Sequence, residues 1–153
     1  MMNQNLIANL GDLFFEFQSK LPFYEREYLK AYNITDVTPT EVKVLYIIGL
    51  SNTKSMSDIA KKLHITKGSL SITINSLVNK GYVIRTRNKQ DRRIIILYLT
   101  NKSLDAVKTY SKFYELLIAR LVKVLSAEKL LTLNDVLFEL NNLLEDIPNN
   151  QKN

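Results

Sequence analysis

The sequence predicts a mainly α-helical chain carrying one small β-hairpin, and three observations lead there. Apolar residues recur at spacings of three and four through most of the 153 residues, which is the period of one helix face. Only from Tyr82 to Leu99 does the pattern shorten into two β-branched runs around a polar break, as two strands and a turn require. Capping residues fall between the periodic stretches, where helix ends need them.

Leu6, Leu10, Leu13, Phe14, Phe17 and Leu21 form the first amphipathic helix. It is expected to end near Pro22, because proline lacks a donor and clashes with the preceding turn. Phe23 to Asn33 reads as partly helical. Thr38-Pro39-Thr40-Glu41 is a capping box with proline at the first helical position, opening a helix through Leu45, Ile48 and Gly49. Ser55 and Asp58 start a short helix, Met56 to Leu63, with Ile59, Ala60 and Leu63 inward. Thr66 caps the next, Lys67 to Asn79, whose apolar side is Leu70, Ile74, Leu77 and Val78; Gly81 closes it. Tyr82 to Arg87 and Arg93 to Leu99 are the strands. The turn at Asn88 to Asp91 lacks Asn-Gly or Asp-Gly, so it is expected to exceed two residues. Helix resumes at Asn101 with Leu104, Val107, Phe113, Tyr114, Leu117, Leu121 and Leu125, breaks at Ser126, and continues through Leu130, Leu133, Val136, Leu137, Leu140, Leu144 and Ile147. The tail from Pro148 is expected to fray.

Charge is concentrated. The net charge is +6, yet residues 54–93 alone hold ten Lys or Arg (Lys54 among them) against Asp58 and Asp91. A basic block in an otherwise near-neutral chain points to a polyanionic partner. With no cysteine and a single histidine, His64, disulfides, thiolate chemistry and multi-histidine metal sites are excluded. No metal or other cofactor is expected. There is no glycine-rich phosphate loop and no paired acid–base set, so the chain does not read as an enzyme. No apolar run approaches the roughly 20 residues of a membrane span. Met1 to Gln18 lacks a signal-peptide pattern, and a cytoplasmic location is expected.

His64-Ile65-Thr66 is a short turn between two short helices, as in a helix-turn-helix whose second helix enters the major groove. The residues expected to meet DNA there are Thr66, Lys67, Gly68, Ser69, Ser71 and Ile72. Gly68 lets the main chain approach, and Ile72 can touch a thymine methyl. The hairpin then serves as a wing. Arg85, Arg87, Lys89, Arg92 and Arg93 crowd one ribbon, where opposed like charges repel by roughly 0.2–1 kcal/mol. A phosphate backbone reverses that cost. Asp91 is expected to fix the wing through an ion pair with Arg93 or Arg85.

These residues resemble the MarR family of winged helix-turn-helix regulators. The likeness rests on Ser57-Asp58-Ile59-Ala60, on Leu77 through Val83 leading into Arg85, and most on Asp91-Arg92-Arg93 followed by Leu97-Tyr98-Leu99-Thr100. Asp91 and Arg93 match the family's wing pair, and Arg85 its basic residue on the first wing strand. Gly68-Ser69-Leu70-Ser71 more resembles the branch controlling fatty-acid synthesis genes in low-GC Gram-positive bacteria. The family often carries arginine where this chain has Ile72 and Ser76, so base preference does not transfer. The resemblance implies a homodimer on double-stranded DNA, binding a near-palindromic operator, acting as a repressor and released by an effector.

The expected organisation is a dimerisation helix (1–35), a DNA-reading domain (36–100), C-terminal dimerisation helices (101–148) and a tail (149–153). The terminal stripes exceed what so small a domain can cover, and pairing about a two-fold axis would bury them. Phe14, Phe17, Tyr24 and Tyr28, with Tyr32, are the candidate lining of a pocket for a small apolar or anionic effector. The alternative function is a winged-helix protein–protein module that does not bind DNA.

Overall fold

The computed structural model describes residues 4–51 and 55–150, the last five as backbone. Its elements are α1 (Gln4–Ala31), α2 (Pro39–Leu50), α3 (Met56–Lys62), α4 (Lys67–Asn79), β1 (Val83–Arg87), β2 (Ile95–Leu99), α5 (Asn101–Val124) and α6 (Ala127–Asn150). This is the predicted mainly helical class with one antiparallel hairpin, paired from Val83↔Leu99 to Arg87↔Ile95. Lys54, one of the ten cations, and tail residues 151–153 lie outside the described residues.

Local chemistry sets the boundaries. The capping box at α2 is present: the Glu41 amide donates to Thr38 Oγ1 at 3.1 Å and the Thr38 amide to Glu41 Oε2 at 2.8 Å. Ser55 Oγ and Thr66 Oγ1 accept from the amides of Asp58 and Ser69 at 3.2 and 3.1 Å, capping α3 and α4. Three helices stop in one way. After α1, α3 and α4 the chain turns left-handed at Asn33 (φ 60°), His64 (φ 52°) and Gly81 (φ 77°). Each turn closes with the paired bonds of a Schellman motif. For α4, Tyr82 N donates to Leu77 O at 2.8 Å and Gly81 N to Val78 O at 3.0 Å.

Val42, Leu45 and Ile48 of α2, Ile59 of α3, Leu70, Ile74 and Leu77 of α4, and Val83 and Leu97 of the hairpin are buried. An isolated bridge, Ser55↔Ile96, ties the start of α3 to β2. Leu29 near the end of α1 is also buried, and Tyr110 of α5 donates to the buried Glu25 of α1 at 3.0 Å.

Two expectations about proline are corrected. Helix α1 runs through Pro22 to Ala31. Proline costs about 3 kcal/mol or more inside a helix, and the anchoring of Glu25 and Leu29 beyond it offsets that cost. Helix α6 likewise continues through Pro148 to Asn150, where a missing donor in the last turn forfeits one bond. The hairpin loop is longer than the sequence suggested, because β2 begins at Ile95 rather than Arg93.

The chain divides into two compact units, residues 1–113 and 114–153. The first contains α1 to β2 and the opening of α5; the second contains the rest of α5 and α6. Among the described residues no helix is long and apolar enough to cross a membrane.

Candidate nucleic-acid interface

Helix α4 turns Leu70, Ile74 and Leu77 into the core, which directs Gly68, Ile72 and Asn75 outward at spacings of four and three. Ile72 is 75% exposed, unusual for a large aliphatic residue in the middle of a helix on a folded unit. Lys67 and Gly68 are exposed and Ser71 is half-buried. Thr66 and Ser69 are engaged with each other: their hydroxyls lie 2.9 Å apart, besides the cap bond. Both therefore complete the helix start as well as standing at the surface. Ser76 faces inward and donates to Glu41 Oε1 at 2.8 Å. Asn75 was missed in the sequence, although its place on the stripe opposite Leu70, Ile74 and Leu77 could have marked it.

The wing is ordered by two short acceptors. Asn88 Oδ1 receives the Gln90 amide at 2.7 Å, and Asp91 Oδ1 receives the Arg93 amide at 2.9 Å. Backbone bonds from Asn88 N to Ile94 O (2.8 Å) and from Ile94 N to Asp91 O (3.0 Å) close the loop. Asp91 thus meets Arg93 through the main chain rather than through its guanidinium. Arg85 reaches back to α4 and donates from Nη1 to Asn75 Oδ1 at 2.9 Å. Asn88 was also missed; an Asx residue at a strand end is its signal.

Charge on this surface is not neutralised internally. The ion pairs among the described residues are Glu16–Lys20, Glu27–Lys30, Glu41–Lys80 and Asp36–Lys102. None of these involves Lys67, Arg85, Arg87, Lys89, Arg92 or Arg93, all of which are exposed.

Behind the surface, α4 is anchored at its C-terminal end. Lys80 donates to both Glu41 oxygens at 2.7 and 2.9 Å. Partial burial pushes the Glu41 carboxyl up, but the bonds from Lys80, Thr38 and Ser76 outweigh it and hold the group below its ordinary value. Next along the chain, the Tyr82 hydroxyl donates to Asp36 Oδ1 at 2.6 Å. Lys102 donates to Asp36 Oδ2 at 2.6 Å and lies 4.2 Å from the Tyr82 ring centre. Burial, reinforced by the Asp36 carboxylate, raises the Tyr82 phenol well above its usual value, so it stays a donor.

This cluster forms part of the wall of a cleft of about 730 Å³, which also includes Tyr32, Asp105 and Lys108. Of the aromatic residues singled out from sequence, Tyr32 lines it. Tyr28 packs between Tyr32 and Phe113, with ring centres 5.0 and 5.5 Å away. Phe14, Phe17 and Tyr24 are more than half exposed on α1 and are not among the cleft walls.

A helix-turn-helix with an outward second helix, followed by an uncompensated cationic hairpin, defines a winged-helix DNA-binding protein. The MarR family profile matches residues 35–94. The repressor MdtR of Bacillus subtilis is 24% identical over 122 residues, 80% of this chain and 79% of that protein. The Streptococcus pneumoniae FabT structure, solved in complex with DNA, shares the fold with a TM-score of 0.87 at 24% identity, over 92% of this chain and 99% of that one. A mutant form of Escherichia coli MarR, complexed with operator DNA, has a TM-score of 0.70 at 28% identity, over 89% and 96% of the two chains. Over residues 35–94 the chain is similar to the MarR family. It is a DNA-binding transcriptional regulator, not an enzyme.

Proposed function

We propose that the protein is a homodimeric repressor that places α4 in the major groove of a near-palindromic operator and clamps the flanking backbone with its wing. The observation that carries this reading is the set of exposed wing cations that none of the ion pairs among the described residues includes. Phosphates would supply the missing counter-charge and release condensed ions. Thr66, Lys67, Gly68, Ser69, Ser71 and Ile72 make the approach to the groove. Arg85, Arg87, Lys89, Arg92 and Arg93 supply the wing, and Asp91 shapes its loop.

Dimerisation is supported by exposed apolar side chains on each of the two units. Leu10, Leu13, Phe14 and Phe17 on α1 are each more than half exposed, and Leu131, Phe138, Leu143 and Leu144 on α6 are too. Patches of that kind mark interfaces in proteins without membrane spans. A two-fold assembly also suits a two-fold operator, with half-sites about one turn, ~10 base pairs, apart. The 730 Å³ cleft suits a small anionic effector against Lys102 and Lys108. Such a ligand would compete with Asp36 for Lys102, and so act on the segment that ends α4. Action in the cytoplasm, where the operator lies, completes the reading.

The test is duplex binding by fluorescence anisotropy across a salt series. Log affinity should fall steeply with log salt, and Arg87→Ala and Arg92→Ala should each lower the slope by about 0.9. Weak binding indifferent to salt would instead favour a protein–protein module.

A further inference from the structure

The DNA-reading surface contains a pair of residues whose chemistry selects one base. Ile72 and Asn75 sit three residues apart on the outward stripe of α4, so their side chains are neighbours. The orientation of the Asn75 amide follows from its partner. A guanidinium has donors and no acceptor, so the atom 2.9 Å from Arg85 Nη1 is the amide oxygen. That leaves Nδ2, with two protons, as the end of Asn75 left to offer. The two-pronged contact of asparagine with adenine uses both ends of the amide, and here one end already serves Arg85.

The surface next to Arg85 is therefore an aliphatic group, 75% exposed, beside a donor fixed in direction. In the major groove thymine alone presents a methyl group together with an acceptor, its O4. Guanine offers acceptors without a methyl, and cytosine offers a donor that would oppose Nδ2. We infer that Ile72 and Asn75 form a thymine-reading pair, and that Arg85 is a positioning residue that sets the Asn75 amide. The inference rests on the proposal that α4 enters the major groove, and it adds the base and the residue that orients its reader.

The experiment starts by selecting duplexes from a random pool with the full-length protein. Thymine should be enriched at a fixed position in each half-site. Replacing that thymine with deoxyuridine removes only the methyl group, leaving the protein untouched. The wild type should lose about 4-fold in affinity per half-site, the worth of one buried methyl-sized group. Ile72→Ala should bind the thymine and deoxyuridine duplexes equally. Asn75→Ala should lose about 5-fold in discrimination between thymine and cytosine. Arg85→Ala should lose a similar factor, and the double variant should discriminate no worse than either single one. That non-additivity is the readout a simple phosphate contact would not give. Duplex binding without enriched thymine overturns the inference alone, as does a deoxyuridine penalty equal in wild type and Ile72→Ala. Independent, additive losses for Asn75→Ala and Arg85→Ala overturn the positioning role. Absence of salt-dependent binding to any duplex overturns the underlying reading along with it.

Discussion

Replacing Glu41 with alanine is expected to cost about 3 kcal/mol of folding stability, because one carboxylate serves three partners, one at the start of α2 and two at the end of α4. It closes the capping box by accepting the Thr38 amide, and it accepts from the Ser76 hydroxyl and from the Lys80 ammonium. Each hydrogen bond contributes about 1 kcal/mol net. The Lys80 bond is charge-assisted, but its side chain is 32% exposed, so solvent screening keeps it near that same figure. Against a typical total of about 5–15 kcal/mol, such a loss is large. Glu41→Gln keeps an acceptor and the cap but removes the charge, and should cost about half as much. The pH dependence has a definite sign. The folded carboxyl lies below its ordinary value of 4.5, so its contribution is complete above that pH. It fades as pH falls through the lower folded value. Glu41→Gln should flatten that part of the acid limb. Urea unfolding at fixed protein concentration, from about pH 3 to 7, measures both effects. A Glu41→Ala variant within about 1 kcal/mol of wild type at neutral pH would refute the account of how α2 holds α4.

Gly81→Ala should destabilise by about 1–2 kcal/mol in thermal melts: its φ is 77° and a Cβ there meets nothing within 4 Å, so the penalty is backbone strain alone. His64→Gly should act oppositely, gaining up to about 1 kcal/mol by relieving a left-handed non-glycine residue. Gly68→Ala should stabilise by up to about 1 kcal/mol, since the added Cβ would meet only Thr66 Oγ1 at 3.7 Å, yet it should weaken duplex binding in anisotropy titrations. A stabilised variant with unchanged affinity would show that the main chain does not approach DNA there. Leu13→Asp should shift sedimentation toward monomer; an unchanged coefficient would remove α1 from the interface.

The elements from α2 to the hairpin were legible because their signals are local. A cap needs one side chain and the next turn, so Thr38 with Glu41, Ser55 with Asp58, and Thr66 marked the helix starts correctly. Proline misled for the complementary reason. Its penalty at Pro22 is local, whereas Leu29 and the Tyr110–Glu25 bond offset it from a distance, the bonded pair being 85 positions apart. The wing shows the same division. Its cations were plain from composition, while the partners of Asp91 and Arg85 depended on loop and strand geometry that composition does not carry.

The second job of several side chains was hidden for a further reason. Ser76 reads as an ordinary polar residue of a helix surface, yet it faces Glu41. Tyr82 reads as the start of a strand, yet its carbonyl accepts from the Thr100 amide at 3.1 Å and its hydroxyl reaches Asp36. One residue thus finishes the Schellman turn of α4, receives the start of α5 and touches a cleft wall. Hydrophobic periodicity reports which way a side chain faces but not which polar group awaits it. The ends of α4 are therefore where structure adds most to sequence. The N-terminal end is held by Thr66 and Ser69 within the helix itself. The C-terminal end is held from outside, by Glu41 and Asp36, and of these two only Asp36 also borders the cleft. A change in the cleft can reach α4 through Lys102, which donates to the Lys80 carbonyl at 3.1 Å, and through Asp36 and Tyr82.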